Sequence, residues 1–157
     1  MRSSPTTVRA TVLRAFRERV RGAVEAAENE YLVQLVTELR DRLCGLVPSR
    51  RDLHAEMNGA VNVALLTQMA EHDALRPRED FQQVFEAMFD WLQRLGAPAD
   101  DAGVREQLAK TRASAVGGEF AAAVADAVLA LHAGIDRIHK RIEQASAARD
   151  GEENGAP

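Results

Sequence analysis

From Leu39 to Leu75 the chain carries two amphipathic helical patterns that meet at Pro48-Ser49, and no other feature constrains the fold as strongly. Tyr31, Leu32, Leu35, Val36, Leu39, Leu43 and Leu46 recur at steps of three and four, which is one face of a helix with 3.6 residues per turn. Pro48 ends that run, because a proline pushes the residue before it out of the helical region. Ser49 and Asp52 have the spacing of a capping box, and Asp52 falls where the helix dipole favours negative charge. The helix opened there is expected to hold Leu53, Met57, Ala60, Val61, Ala64 and Leu65 on one side and to fade at Asp73.

The same periodicity extends both ways. Val8, Val12, Phe16, Val20, Ala23, Val24 and Ala27 predict a helix starting near Ser4-Pro5 or Thr7, either continuous with the next run or separated by a mild break at 26–29. Arg78 to Leu95 is the most apolar stretch, with Phe81, Val84, Phe85, Met88, Phe89, Trp91 and Leu92 over much of its circumference. It is expected at the centre, closed by Gly96 as a C-cap and by Pro98. A weaker helix follows from Asp100 to about Ala115, with Val104 and Leu108 inward and Gly117-Gly118 as its end. Phe120, Val124, Ala127, Val128, Leu131, Ile135, Ile138 and Ile142 form a narrow stripe on a last helix. No segment alternates as a strand does. The expected fold is all-α: an antiparallel bundle of five or six helices over residues 1–145. Residues 1–28 give a basic first helix, 30–115 the core and 119–145 the last helix, and an acidic tail over 146–157 is expected to be disordered.

Composition agrees. Apolar residues make up 46% and aromatics only 4%, which suits helices rich in Ala and Leu better than strands. The net charge of −4 argues against a protein built to coat nucleic acid. Charge is nevertheless uneven: Arg2, Arg9, Arg14, Arg17, Arg19 and Arg21 face one acid, Glu18, in the first 21 residues. Lys110 and Lys140 are the only lysines, a bias expected from a GC-rich genome. Cys44 is the sole cysteine, so no intramolecular disulfide is possible and a reducing, cytoplasmic setting is expected. The Arg-rich, acid-poor start also fits a mitochondrial transit peptide as an alternative. The longest apolar stretch, Phe120 to Ile135, is too short for a bilayer and is interrupted by Asp126 and His132.

Three blocks resemble the T-complex protein 11 family. Leu46, Pro48, Leu53, Glu56 and Met57 come first. Leu65, Leu66, Gln68, Ala70, Glu71, His72, Ala74 and Leu75 follow, and then Leu95, Ala97, Pro98, Asp101 and Val104. They run in family order over residues 35–108 and resemble the opening part of a longer family domain. Two positions depart from the pattern: Asn62 stands where the family tends to have an acid, and Asp100 where it tends to have a base. The resemblance implies a non-enzymatic helical regulatory or scaffold module, linked to cyclic-AMP and protein kinase A signalling and to sperm function.

Candidate sites are few. Val61, Leu65, Gln68 and His72 count onto one stripe, so Gln68 and His72 are expected either as interhelical hydrogen-bonding groups or as direct partner contacts, with Glu71 at the edge. Arg50, Arg51, Gln68, Glu71 and His72 are the expected partner-binding residues. His132, Asp136 and His139 have metal-ligand spacing on one helix face, but no second E-x-x-H motif completes such a site and Lys140 opposes a cation. A solvated helix rim is therefore the expected reading, with no metal or cofactor; a metal-dependent enzyme is the remote alternative. Cys44 lacks a nearby base, and Gly117-Gly118 lacks the Lys-Ser/Thr of a phosphate loop. The helix over residues 8–24 gives a second partner reading, an acidic membrane surface or a calmodulin-like groove with Val12, Phe16 and Val20 as anchors. The exposed remainder of the last stripe leaves room for a homodimer.

Overall fold

The computed structural model describes the backbone of residues 5–117 and 119–154. Among the described residues the secondary structure is helical throughout: α1 (Pro5–Glu25), α2 (Asn29–Gly45), α3 (Arg51–Ala60), α4 (Val63–Glu71), α5 (Pro77–Leu95), a 3₁₀ turn (Pro98–Asp100), α6 (Asp101–Gly117) and α7 (Phe120–Asn154). The all-α bundle expected from the periodicity is the fold observed.

Each boundary has a local cause. Ala27 adopts φ 56°, and Glu28 N–H reaches Ala23 O while Ala27 N–H reaches Val24 O. That pair of bonds is a Schellman cap, so α1 and α2 are two helices. Asp73 repeats the motif at φ 53°, with Ala74 N–H on Met69 O, and ends α4. Pro77 opens α5 at its first turn, and Asp80 Oδ2 accepts from Arg76 N–H at 2.7 Å.

Other expectations need correcting. The capping box is not formed: Arg50 is the N-cap residue of α3, no side chain caps it, and Asp52 turns to Arg50 instead. The helix expected from Ser49 to Asp73 is broken at Val61-Asn62, where Asn62 Oδ1 accepts from Leu65 N–H at 3.0 Å and starts α4 afresh. Gly96 is the C-cap of α5 as expected, but in an extended conformation, at φ −84° and ψ 174°, rather than a left-handed one. A Cβ there would lie 2.7 Å from the backbone oxygen of Leu92, so close approach is what requires glycine. The last helix passes Ala145 and continues to Asn154, although residues 139–151 are all exposed. Alanine, arginine and glutamate propagate a helix already nucleated, without needing to bury a face. Residues 155–157 of the expected tail lie outside the described residues.

One apolar cluster joins all seven helices. α5 contributes Phe81, Val84, Phe85, Met88, Phe89, Trp91 and Leu92, each nearly inaccessible. It shares the centre with α7, which packs on α1, α2, α5 and α6. The α7 face is wider than a stripe, because Ala123, Ala125 and Gly134 are buried beside the larger residues. A Cβ on Gly134 would meet Leu92 Cδ1 at 2.7 Å, so α5 and α7 approach closely there. The two proline corners also meet: Leu46 and Val47 line one hollow of about 260 Å³ with Leu95, Ala97, Ile138 and Ile142.

Candidate partner-binding site

The first corner is held from below. His54 Nε2 lies 2.9 Å from Cys44 O and 2.8 Å from Val47 O. These two carbonyls at the end of α2 otherwise accept backbone bonds, from Val47 N–H at 3.2 Å and Arg50 N–H at 3.1 Å. Carbonyls only accept, so Nε2 carries the proton and donates to both. Beside it the Cys44 thiol contacts Met57 Sδ at 3.5 Å. Burial pushes that thiol up, with the Arg40 charge opposing only in part, so Cys44 is a packed thiol rather than a thiolate nucleophile. His54 was missed by sequence reasoning. The pattern around it marks a helix, but the carbonyls it serves are identified only once the corner is folded.

Arg50 and Arg51 stand on this corner, both exposed. Arg50 grips Asp52 with two parallel bonds, Nε to Oδ1 at 3.0 Å and Nη2 to Oδ2 at 2.8 Å. That guanidinium, helped by backbone N–H groups of the first turn, holds the Asp52 carboxyl down at about 2. Glu56, one turn on, faces Arg94 of α5 at 3.6 Å, and Arg94 in turn covers the Trp91 ring at 4.1 Å.

Gln68 and His72 are exposed, contrary to the expectation of an inward stripe. The cause is the break at Val61-Asn62. Restarting the helix changes its phase, so α4 turns Leu66 into the core, with Val63, Met69 and Ala70 half-buried beside it. Leu65, Gln68 and His72 still share a stripe, but the stripe faces solvent and Leu65 is 50% exposed. Ala60 and Ala64, also expected inward, are exposed. Glu71 sits at the edge of the outer face with no arginine beside it among the described ion pairs. Leu66, Met57, Leu75 and Val104 of the family-like blocks thus serve the core, while Leu65, Gln68, Glu71 and His72 serve no described packing or pairing. No described hydrogen bond or ion pair links these α4 residues to Arg50 or Arg51.

The two departures from the family pattern have local roles. Asn62 caps α4, a task an aspartate performs equally well. Asp100 receives a bond from Arg141 Nη1 at 2.5 Å, and that bond, backed by the Arg141 charge, lowers the carboxyl's pKa. A base at 100 would face Arg141 instead.

His132, Asp136 and His139 do not converge on a common point. Arg42 Nη1 donates to His132 Nδ1 at 2.7 Å, and Arg42 Nη2 donates to Asp136 Oδ1 at 2.5 Å. A guanidinium therefore occupies the space a metal would need. His139 faces Glu143 at 3.2 Å. His132 is half-buried, with Phe16 edge-on at 6.4 Å between ring centres. Burial first, and then the Arg42 cation, hold its pKa below the usual histidine value, against Glu38 and Asp136. Among the described residues no group of three or more His, Cys, Asp or Glu could hold a metal ion, and no helix is long and apolar enough to cross a membrane.

On α1, Val20 and Ala23 are fully buried, whereas Val8, Val12 and Leu13 are 52%, 61% and 44% exposed. Arg9 and Arg14 lie among these exposed apolar residues, while Arg17 pairs with Asp126 and Arg19 with Glu28. Of the expected anchors, Phe16 and Val20 are thus used by the core, and only Val12 stays available.

No curated protein and no solved structure matches this chain. The sequence profile of T-complex protein 11 does, over residues 1–135. That span exceeds the three motif blocks and runs from α1 through most of the buried face of α7. The chain belongs to the T-complex protein 11 family.

Proposed function

We propose that this protein is a non-catalytic helical regulatory or scaffold module that holds another protein against the outer face of α4. The observation that carries the reading is the solvent-facing stripe of Leu65, Gln68 and His72, with Glu71 beside it. The fold makes no described use of these side chains, which leaves a mixed apolar and polar face for a partner to cover. The engagement of His132 by Arg42 and the packed Cys44 thiol favour binding over chemistry. Family membership suggests cyclic-AMP and protein kinase A signalling as the pathway, and the lone cysteine suits a reducing, cytoplasmic setting. The test is direct binding of the purified chain to the regulatory and catalytic subunits of that kinase, beside affinity capture from the native cell. Leu65→Asp with Gln68→Ala is expected to abolish the captured interaction while the helical signal and melting temperature hold. Retained binding by that variant contradicts the assignment of the α4 face, and failure of both kinase subunits to bind removes the pathway.

A second reading rests on Val8, Val12 and Leu13, an exposed apolar patch flanked by Arg9 and Arg14. It suits an acidic membrane surface or a calmodulin-like groove. Deleting residues 1–24 would be a poor test, because it removes core residues Val20 and Ala23. Val12→Asp with Arg9→Ser in vesicle flotation and calmodulin pull-down at low salt decides it: loss of binding favours this reading, and absence of binding by the unaltered chain ends it.

A further inference from the structure

We propose that two copies of this chain pair about a two-fold axis, each laying the first turns of α1 along the groove between α6 and α7 of the other. The inference rests on the exposed α1 patch of the second reading above and names a second copy as what covers it.

A stripe on α1 carries the argument. Arg9, Leu13, Phe16, Val20 and Ala23 follow one another at alternating steps of four and three, so they share a face. Val20 and Ala23 are sealed, Phe16 is half-buried and Leu13 is exposed. The bundle covers this face toward the end of α1 and leaves its first turns bare. Val8 and Val12 are exposed beside them, so α1 holds three of the five large apolar residues exposed among the described residues. Apolar groups gathered in this way mark an interface, whereas single ones scattered over a surface do not.

The surroundings indicate the occupant. Arg9 and Leu13 form one wall of a groove of about 450 Å³, and Gln107, Lys110 and Thr111 of α6 form the other. Between them α7 contributes Ala123, Ala130 and Ala133, small side chains over which another helix can approach closely. Asp126 and Asp136 also line the groove, both more than half exposed. Arg17 takes both oxygens of Asp126, whereas Arg42 takes only Oδ1 of Asp136. Asp136 Oδ2 is thus open to a second guanidinium, and Arg9 has no ion pair among the described residues. Lys110 opposes an incoming arginine but is drawn to Glu106 at 3.4 Å.

One continuous patch therefore holds both halves of a pair: an apolar face with a spare guanidinium, and an alanine-lined groove with a spare carboxylate oxygen. A two-fold axis satisfies both halves twice and closes the assembly at two copies. Two or three helical turns a side bury less than the roughly 800 Å² per partner of a standard interface, so the dimer is weak and reversible.

The test is sedimentation equilibrium of the full chain at low salt, joined to amide-resolved NMR on dilution. The mass is expected to rise from one chain toward two, and no further, between about 10 μM and 1 mM. Dilution shifts should fall on residues 8–16 and 129–136. Leu13→Asp should abolish the dimer, Arg9→Glu should weaken it about tenfold, and Lys140→Gln should leave it unchanged. If Leu13→Asp loses helical signal, Ala133→Arg decides instead, because it blocks the groove from an exposed position on α7. A chain that stays monomeric at 1 mM, dilution shifts confined to other helices, or a dimer untouched by Leu13→Asp and Ala133→Arg each overturns the proposal. A monomer that floats with acidic vesicles or binds calmodulin also overturns it and keeps the second reading, whereas a dimer that does neither upholds it and ends that reading.

Discussion

His54 shows how one side chain can hold a corner that the sequence marks only by its proline. Its ring N–H serves Cys44 O and Val47 O together. His54→Ala removes the side-chain bond that ties these two carbonyls to α3, leaving them their backbone bonds alone, and is expected to cost about 1 kcal/mol, measured by urea denaturation. His132 carries the pH response. Burial and Arg42 hold it neutral in the folded chain, whereas the unfolded chain takes up its proton near 6.5. The unfolded state therefore binds more protons, so this contribution is complete above pH 6.5 and is lost as pH falls from there toward the lowered folded value. Stability of the unaltered chain should decline through that window, and His132→Gln should flatten the decline. A profile identical in both chains contradicts the assignment. His132 was legible as a residue of interest, but its partner was not, because Arg42 lies on another helix and arginines are too abundant here for spacing to single one out.

At the level of helices, α4 is the instructive case. Counting at 3.6 residues per turn from α3 carried the right stripe, Leu65, Gln68 and His72, but gave it the wrong side, because the count ran through a break. Asn62 was the available signal: a residue suited to N-capping, followed three positions later by the Leu65 amide it binds. Asn62→Ala is expected to destabilise by about 1 kcal/mol, and Asn62→Asp to change stability by a few tenths at most; thermal melts compare the two. Equal losses would contradict the capping role. The end of α1 was ambiguous for a similar reason, since a left-handed Ala27 gives no compositional sign where glycine would. By contrast α5 was legible throughout, because large apolar residues on most of its circumference admit only a buried helix.

The whole molecule follows from the same balance. Large side chains announced the core of α2 and α5, and the bundle is all-α as the periodicity requires. What composition concealed was the role of small residues: Ala123, Ala125 and Gly134 let α7 pack on four neighbours, so its buried face spreads beyond the stripe. Partner surfaces were less legible than packing, since exposure depends on where each helix restarts. The arrangement leaves Leu65 and Leu66, adjacent in sequence, with opposite duties: one is 50% exposed and the other 6%. The most direct measurement is a paired denaturation of Leu65→Asp and Leu66→Asp. Leu65→Asp should stay within about 0.5 kcal/mol of the unaltered chain, while Leu66→Asp should lose about 3 kcal/mol or more. Comparable losses, or a greater loss at Leu65, would mean that α4 presents the opposite face to the core and that its outer stripe is no surface for a partner.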